Sequence, residues 1–402
     1  MRSKNSHKGQ ERPLTIAAMS QSPDALQPFV DQIRQAATQR TPLQIRGGGS
    51  KDFVGCLQPA ALLDTRSLTG VVDYAPSELV VTVAAGTPLS ELENLLLAQG
   101  QCLPFEPPHF GWSGSSSQGT VGGMVASGLA GPARASVGSV RDYVLGLKLI
   151  NGQGELLTFG GQVMKNVAGY DVSRLMAGAM GTLGLITEVS IKVLPLAPSE
   201  ATLVFPLPQA DALEHLHRWG GEPLPLNASC WVHDASAGQA GRDLLFVRLR
   251  GAAAAVEAAC ARMLKEVPGE RMDTAQAAAD WALCRDQKLP FFTGGGQADH
   301  VLWRLSVAQT APVLDLPWPQ LVEWHGGLRW LWAPLQAGAR LQAAAKAAGG
   351  NATVFVAAGA DTTGAKCQNH SQSAGQGALL KRLKAAFDPA GIFNPGRLYT
   401  DF

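Results

Sequence analysis

Ile45-Arg46-Gly47-Gly48-Gly49-Ser50-Lys51 places three glycines and a serine between two cations. With no Cβ atoms in the way, consecutive N–H groups of such a run can converge on one anion. Arg46 and Lys51 would add positive charge beside a pyrophosphate. Taken alone, the run reads equally well as a flexible surface turn. A second stretch, residues 119–128, reads Gly-Thr-Val-Gly-Gly-Met-Val-Ala-Ser-Gly. Its small side chains would let backbone approach a flat ring or a phosphate closely, which a linker does not require. Neither stretch is G-x-G-x-x-G, and the chain holds no G-x-x-x-x-G-K-[ST]. A dinucleotide site here is therefore of neither Rossmann nor Walker type.

The elements that must position these runs are readable from periodicity. Leu26, Val30, Ile33 and Ala37 recur at helical spacing over residues 24–40. Residues 43–46 form a short strand leading straight into Gly47. A second strand spans 79–84, and a helix follows with Thr87 as N-cap, Pro88 at its first position and Gly100 at its end. Between 104 and 138, glycine, serine and proline dominate and helix and strand signals fade, as in a long functional loop. Residues 143–150 and 155–159 flank Asn151-Gly152, a hairpin signal. A strand over 185–194 stops at Pro195, and a boundary falls at 195–200. Beyond it, strands at 202–207, 228–232, 244–250, 301–308, 328–333 and 353–356 alternate with alanine-rich helices over 252–267 and 335–348. That pattern predicts an α+β layer with helices on one face of a largely antiparallel sheet. A last helix covers 379–387.

Composition bounds the rest. The 402 residues suffice for two to three domains, and 46% hydrophobic residues is ordinary for a globular chain. With 33 basic and 32 acidic residues, nothing in the charge argues for a nucleic-acid partner. No apolar run is long enough to span a bilayer. The basic N-terminus, residues 1–22, lacks the apolar core of a secretory signal and reads as a disordered tail. These features predict a cytoplasmic protein. The six cysteines include no C-x-x-C pair, so they read as scattered small hydrophobes. Any iron–sulfur centre in its electron path would belong to another subunit.

Five runs in order make a resemblance specific: 45–51, Gly86-Thr87-Pro88-Leu89, 119–128, Lys165-Asn166-Val167-Ala168-Gly169-Tyr170-Asp171, and Gly181-Thr182-Leu183-Gly184-Leu185-Ile186-Thr187-Glu188. Together they resemble the FAD-binding domain of the vanillyl-alcohol-oxidase/p-cresol-methylhydroxylase (PCMH) family. Phe393-Asn394-Pro395-Gly396-Arg397 resembles the C-terminal piece that returns to the flavin in that family's FAD-linked oxidases. Within the family, residues 162–178 are most similar to FAD-binding subunits of glycolate-oxidising complexes.

The resemblance implies an α+β fold: a two-subdomain PCMH-type FAD-binding domain over 23–197, an α+β cap or substrate domain over 200–370, and a C-terminal segment, 376–402, returning to the flavin. It implies FAD held by Arg46, Gly47, Gly48, Gly49, Ser50 and Lys51, with Thr120, Gly122, Gly123 and Ser127 lining flavin and phosphates. Lys165, Tyr170 and Ile186 would join that shell, and Asn394, Gly396 and Arg397 would close it. Where some members carry a flavin-linking histidine this chain has Ser50, which implies non-covalent FAD. The implied activity is oxidation of a small 2-hydroxy acid, glycolate to glyoxylate, with a sister FAD-linked oxidase subunit and an iron–sulfur subunit as partners. Membrane contact would be indirect, through those partners.

The chain also departs from its catalytic relatives. Where 2-hydroxy-acid dehydrogenases of the family carry Gly-Ser-Glu-Gly, it reads Gly178-Ala179-Met180-Gly181. Its eight histidines are dispersed, and His215 and His217 point to different sides of a helix, so no metal site is expected. Hydride transfer from a 2-hydroxy acid needs a base for the hydroxyl proton and a cation for the carboxylate. His325, before a glycine turn among aromatics, is the candidate base, and Arg329 the candidate cation. Three readings stay open: an FAD subunit of a glycolate-oxidising complex, a stand-alone D-lactate-type dehydrogenase, and an assembly subunit with a degenerate flavin site.

Overall fold

The computed structural model describes residues 22–56, 58–110, 118–161, 171–235, 241–294, 297, 299–356 and 374–399. The expected N-terminal tail and the run around Lys165 and Tyr170 lie outside these residues.

The first helix, Pro23–Gln39, starts at Ser22, whose hydroxyl accepts from the Ala25 N–H, and ends at Arg40 in the left-handed conformation. Its apolar stripe of Leu26, Phe29, Ile33 and Ala36 packs on Leu43, Leu63 and the C-terminal Ile392 and Phe393. The strand Leu43–Arg46 pairs in parallel with Ala61–Asp64, so the glycine loop leaves a small, fixed sheet. A five-stranded sheet follows in the order Val71–Ala75, Val80–Ala84, Leu185–Lys192, Val144–Ile150, Leu156–Gly160. The hairpin expected around Asn151-Gly152 is present, with Leu147 opposite Phe159 and Ile150 opposite Leu156.

Two local expectations change. Thr87 does not cap the helix Leu89–Ala98; its Oγ accepts from the Gly70 N–H at 2.9 Å and the side chain is fully buried. The apparently structureless stretch contains the helices Val121–Ser127 and Arg134–Val137. The first hides from propensity because Gly122 and Gly123 are poor helix formers. A Cβ on Gly122 would lie 2.8 Å from the Cβ of Ala85, so the helix packs there only as glycine.

From Ser199 the chain builds an eight-stranded sheet whose pairings among the described residues are all antiparallel. The strand Gln320–Glu323, not foreseen, links its two halves through Val322, which faces Trp231 and Arg329. The helices Gln209–Gly220 and Ala253–Glu266 cover one face through Leu213, Leu216, Trp219, Val256 and Met263. The expectation of helices on one face only does not hold. The helix Thr274–Arg285 and the turn Pro290–Thr293 pack on the other face through Ala277, Trp281 and Phe292. That second face also meets the segments that flank the two glycine stretches, through Phe53, Phe110 and Leu129.

Two buried ionic clusters fix these layers. Both carboxylate oxygens of Glu106 accept from Arg248 Nη2 at 2.7 Å, and Oε1 accepts a further bond from Arg250 at 3.2 Å. Burial alone would raise the Glu106 pKa, but the two guanidinium charges outweigh it and hold it below the usual range. Near the C-terminus, Lys384 Nζ donates to Asp388 and to the carbonyls of Thr182 and Phe393, all within 2.8 Å. Asp388 in turn accepts from the N–H groups of Ile392 and Phe393. The helix Ala374–Phe387 and the tail after it are thereby pinned to the five-stranded sheet.

Of the cysteines, Cys230, Cys260 and Cys284 are buried free thiols and Cys102 is half-buried. Cys56 departs from the sequence expectation in being disulfide-bonded. Among the described residues no helix is long and apolar enough to cross a membrane.

Candidate functional site

The two glycine stretches and the C-terminal segment meet around one cavity of about 100 Å3. Its wall includes Arg46 through Lys51, Thr120, Gly122, Gly123, Ser127, Ile186, Asn394 and Arg397. Gly396 of the expected set is elsewhere, in the left-handed turn behind Asn394, facing Gln58. Gln44, Asp52, Thr65, Ala85, Ala126, Met180, Gly181 and Gly184, outside the expected set, also line it. The run 181–188 was the signal that could have found the last of these.

The first loop supplies the donors. A Cβ on Gly48 would fall 1.6 Å from the carbonyl oxygen of Gln118, so only glycine lets the loop lie against the second stretch. Gly49 adopts φ +75°, which glycine reaches without strain. The N–H groups of Gly48, Gly49, Ser50 and Lys51 donate to no protein acceptor among the described residues. Buried or half-buried N–H groups rarely stay unpaired, and four in a row at the cavity wall without a described acceptor can serve an anion as a nest.

The second stretch supplies shape instead. Thr120 caps the helix Val121–Ser127 by accepting from the Gly123 N–H at 3.2 Å. The N–H groups of Val121 and Gly122 are taken by the carbonyls of Thr87 and Ala85. Ser127 Oγ donates to the Met124 carbonyl. These residues therefore offer a close, smooth wall and few free hydrogen-bond donors.

Electrostatics separate the three cations. Arg46 is engaged, with Nε and Nη2 both within 2.8 Å of Asp52 Oδ2. Lys51 is buried, and desolvation pulls its ammonium down to about 8 despite the opposing charge of Asp286. Its Nζ donates to Ser50 Oγ at 3.3 Å. Arg397 is also buried, lowered to about 10 by desolvation, and it donates to the Lys51 carbonyl at 3.0 Å. Two desolvated cations beside free N–H groups are stabilised by an anion with at least two negative oxygens, such as a diphosphate. The residues present fit the phosphates of a dinucleotide on those grounds.

Asn394 holds the site together. Its Oδ1 accepts from the Ile45 N–H at 2.8 Å, and its Nδ2 donates to the Met180 carbonyl at 2.7 Å. It stands at φ +41°, a conformation asparagine tolerates better than most side chains.

The chain's residues 22–160 match the family described as FAD binding domain, and residues 365–398 match the C-terminal domain of FAD linked oxidases. Over 94% of its length it is 41% identical to the glycolate oxidase subunit GlcE of Escherichia coli K12, spanning 98% of that protein. The chain belongs to the GlcE family of FAD-linked oxidases. Its cofactor is FAD. It is also 29% identical to the glycolate oxidase subunit GlcD of Bacillus subtilis, over 43% of this chain and 36% of that one. The 4-ethylphenol oxidase from Gulosibacter chungangensis shares the fold with a TM-score of 0.65 at 14% identity, over 93% of this chain and 88% of that one. The α+β, PCMH-type architecture expected from sequence is the one found.

The two catalytic candidates do not form a site. Arg329 is fully buried and points with Val322 to the face covered by the helices Gln209–Gly220 and Ala253–Glu266. There it donates to the carbonyls of Gly326 and Ala311. Leu328 and Trp330, its strand neighbours, face the flavin-side core instead. His325 sits at φ +54° with Nδ1 on Ser229 Oγ at 3.0 Å and Nε2 on Ser136 Oγ at 2.9 Å. Burial lowers its pKa to about 4, so it is neutral at physiological pH. With both ring nitrogens engaged it is a structural tie between the serines. The correction is physical: alternation along the strand puts Arg329 on the wrong face, and Ser136 comes from far in sequence. Among the described residues no cluster of His, Cys, Asp or Glu could hold a metal ion.

Proposed function

We propose that this chain is the FAD-carrying subunit of a glycolate oxidase complex, taking part in the oxidation of glycolate to glyoxylate and passing the electrons on through its flavin. The observation that carries this reading is the end-to-end match to GlcE, together with the free N–H nest and the desolvated Lys51 and Arg397. Bound flavin supplies two-electron redox chemistry. The chain's residues bind and orient it: Gly48 through Lys51 donate to phosphate, Lys51 and Arg397 balance its charge, and the Thr120–Ser127 wall keeps water from the cofactor. With Ser50 in the first loop, the FAD is non-covalent. Residues 23–197 and 376–402 form the flavin-binding unit, and 200–370 the cap. Lys165 and Tyr170, outside the described residues, complete the flavin shell in this reading.

The proposed partners are a sister FAD-linked oxidase subunit, of which GlcD is the type, and an iron–sulfur subunit. The complex is cytoplasmic and meets the membrane only through its partners. The deciding experiment purifies the chain alone and co-expressed with its partners, then adds glycolate or D-lactate without oxygen. Bleaching of the flavin by glycolate only in the complex is the expected result. Bleaching of the isolated chain by D-lactate would establish the stand-alone dehydrogenase. A colourless chain that takes up no added FAD would leave only an assembly role.

A further inference from the structure

Away from the glycine loops, the cap carries a second cavity of about 560 Å3, half open to solvent. Cys230 and Phe246 on the sheet form its floor. Ala277 and Trp281 on the helix Thr274–Arg285, then Leu289 and Phe291, form its roof. Protein interiors pack to the density of organic crystals, and voids beyond the size of a water are few. A built, mostly apolar cavity of this volume lies within the ~300–1,000 Å3 of small-molecule sites.

Its chemistry excludes the hydroxy-acid substrate. Among the described residues, the charged ones lining it are Asp234 and Asp280, with His233 beside Asp243 at 2.7 Å, and none of those described is a lysine or arginine. An anion entering would leave water without gaining a counter-charge. The inner polar groups are satisfied: Trp281 Nε1 donates to Thr202 Oγ1 at 2.9 Å, and Cys284 Sγ donates to Glu323 at 3.3 Å. Cys284 also lines a small cavity on the flavin-facing side, with Phe110, Arg304 and Trp324. The large cavity and the flavin side thus share one side chain as a partition.

We propose that the cavity under the helix Thr274–Arg285 is a binding site for an uncharged, predominantly apolar aromatic molecule, separate from the hydroxy-acid site. The assignment is independent of which acid the complex oxidises. The test uses the FAD-loaded full chain titrated with N-phenyl-1-naphthylamine, an uncharged probe whose fluorescence rises in apolar surroundings, and with its anionic relative 1-anilinonaphthalene-8-sulfonate. The expected result is one saturable site for the neutral probe, with the sulfonate at least about tenfold weaker. Ala277→Phe, which fills the cavity, weakens the neutral probe at least about tenfold, while Lys265→Ala, exposed on the helix over the other face of the sheet, leaves it within about twofold. Asp280→Lys, at the mouth, tightens the sulfonate at least about threefold relative to the neutral probe. It keeps the test valid if Ala277→Phe fails to fold. Non-saturable binding, equal affinity for the two probes, or an Ala277→Phe protein that melts like wild type and still binds would overturn the proposal.

Discussion

Lys51 gives the sharpest handle on the flavin site. Its ammonium is pulled to about 8 by burial, and a bound diphosphate favours the charged form. FAD then binds the protonated lysine, so affinity falls as pH rises through about 8. The fraction protonated drops about tenfold between roughly pH 7 and pH 9, which weakens FAD by about the same factor, or ~1.4 kcal/mol. Arg397, lowered only to about 10, keeps its charge over this window. The FAD-free protein responds in the opposite sense. Between about 8 and the ordinary 10.5, the unfolded chain binds more protons at this lysine than the folded one, so this group's contribution to stability rises with pH. The assay is a flavin-fluorescence titration at a series of pH values, beside thermal unfolding of the FAD-free chain. Lys51→Met should lose ~1.5–3 kcal/mol, roughly 10- to 150-fold, at neutral pH, and should flatten the slope. Lys51→Arg should flatten the slope and keep most of the affinity. A wild-type affinity unchanged between pH 7 and 9, or an identical slope in Lys51→Met, would refute the assignment of Lys51 to the phosphates.

Three other substitutions probe the frame around that site. Glu106→Gln leaves Arg248, 3% exposed, with a neutral partner, and should cost ~3–5 kcal/mol in denaturant unfolding. Since Glu106 has a depressed pKa, its contribution is present above the unfolded carboxylate range and lost on acidification through the folded value, so Glu106→Gln should also shallow the acid side of the stability profile. Asp388→Ala strands the buried Lys384 ammonium and frees the Ile392 and Phe393 N–H groups; a cost of ~3–5 kcal/mol and weaker FAD binding are expected from a combined urea and flavin titration. His325→Asn, which tolerates the left-handed backbone, should leave turnover of the assembled complex within about threefold. A hundredfold loss with full flavin content would restore His325 as a base.

What could be read in advance follows a physical division. The two glycine runs were legible because a nest must be built from consecutive small residues. The strands were legible because alternation is a local property. Their different contributions were legible only in outline: the run 119–128 reads as a close wall, but the packing that takes the Val121 and Gly122 N–H groups onto Thr87 and Ala85 shows only in the fold. Thr87 read as a helix cap because it precedes Pro88, yet the close approach of Gly70 claims its hydroxyl. Glu106 and Arg248 are 142 residues apart, and no local pattern announces their pairing. His325 and Arg329 looked like a base and a cation four residues apart. The strand's period of two and a serine from the other layer decided otherwise.

The site is assembled from pieces that cannot act alone, and the cap is one of them. Asn394 ties the strand before the first glycine loop to the carbonyl of Met180, and Arg397 ties the loop's own end at Lys51. The loop geometry therefore exists only while the C-terminal segment is docked by Lys384 and Asp388. From the opposite side, Asp286 at the end of the helix Thr274–Arg285 accepts from the His109 N–H and from Arg285, and its charge acts on Lys51. A displacement of that helix would change the proton affinity of the lysine beside the phosphate nest without touching the nest itself. Asp286 thus links the charge state of Lys51, set chiefly by burial, to the end of a cap helix as well as to the loop that carries the lysine.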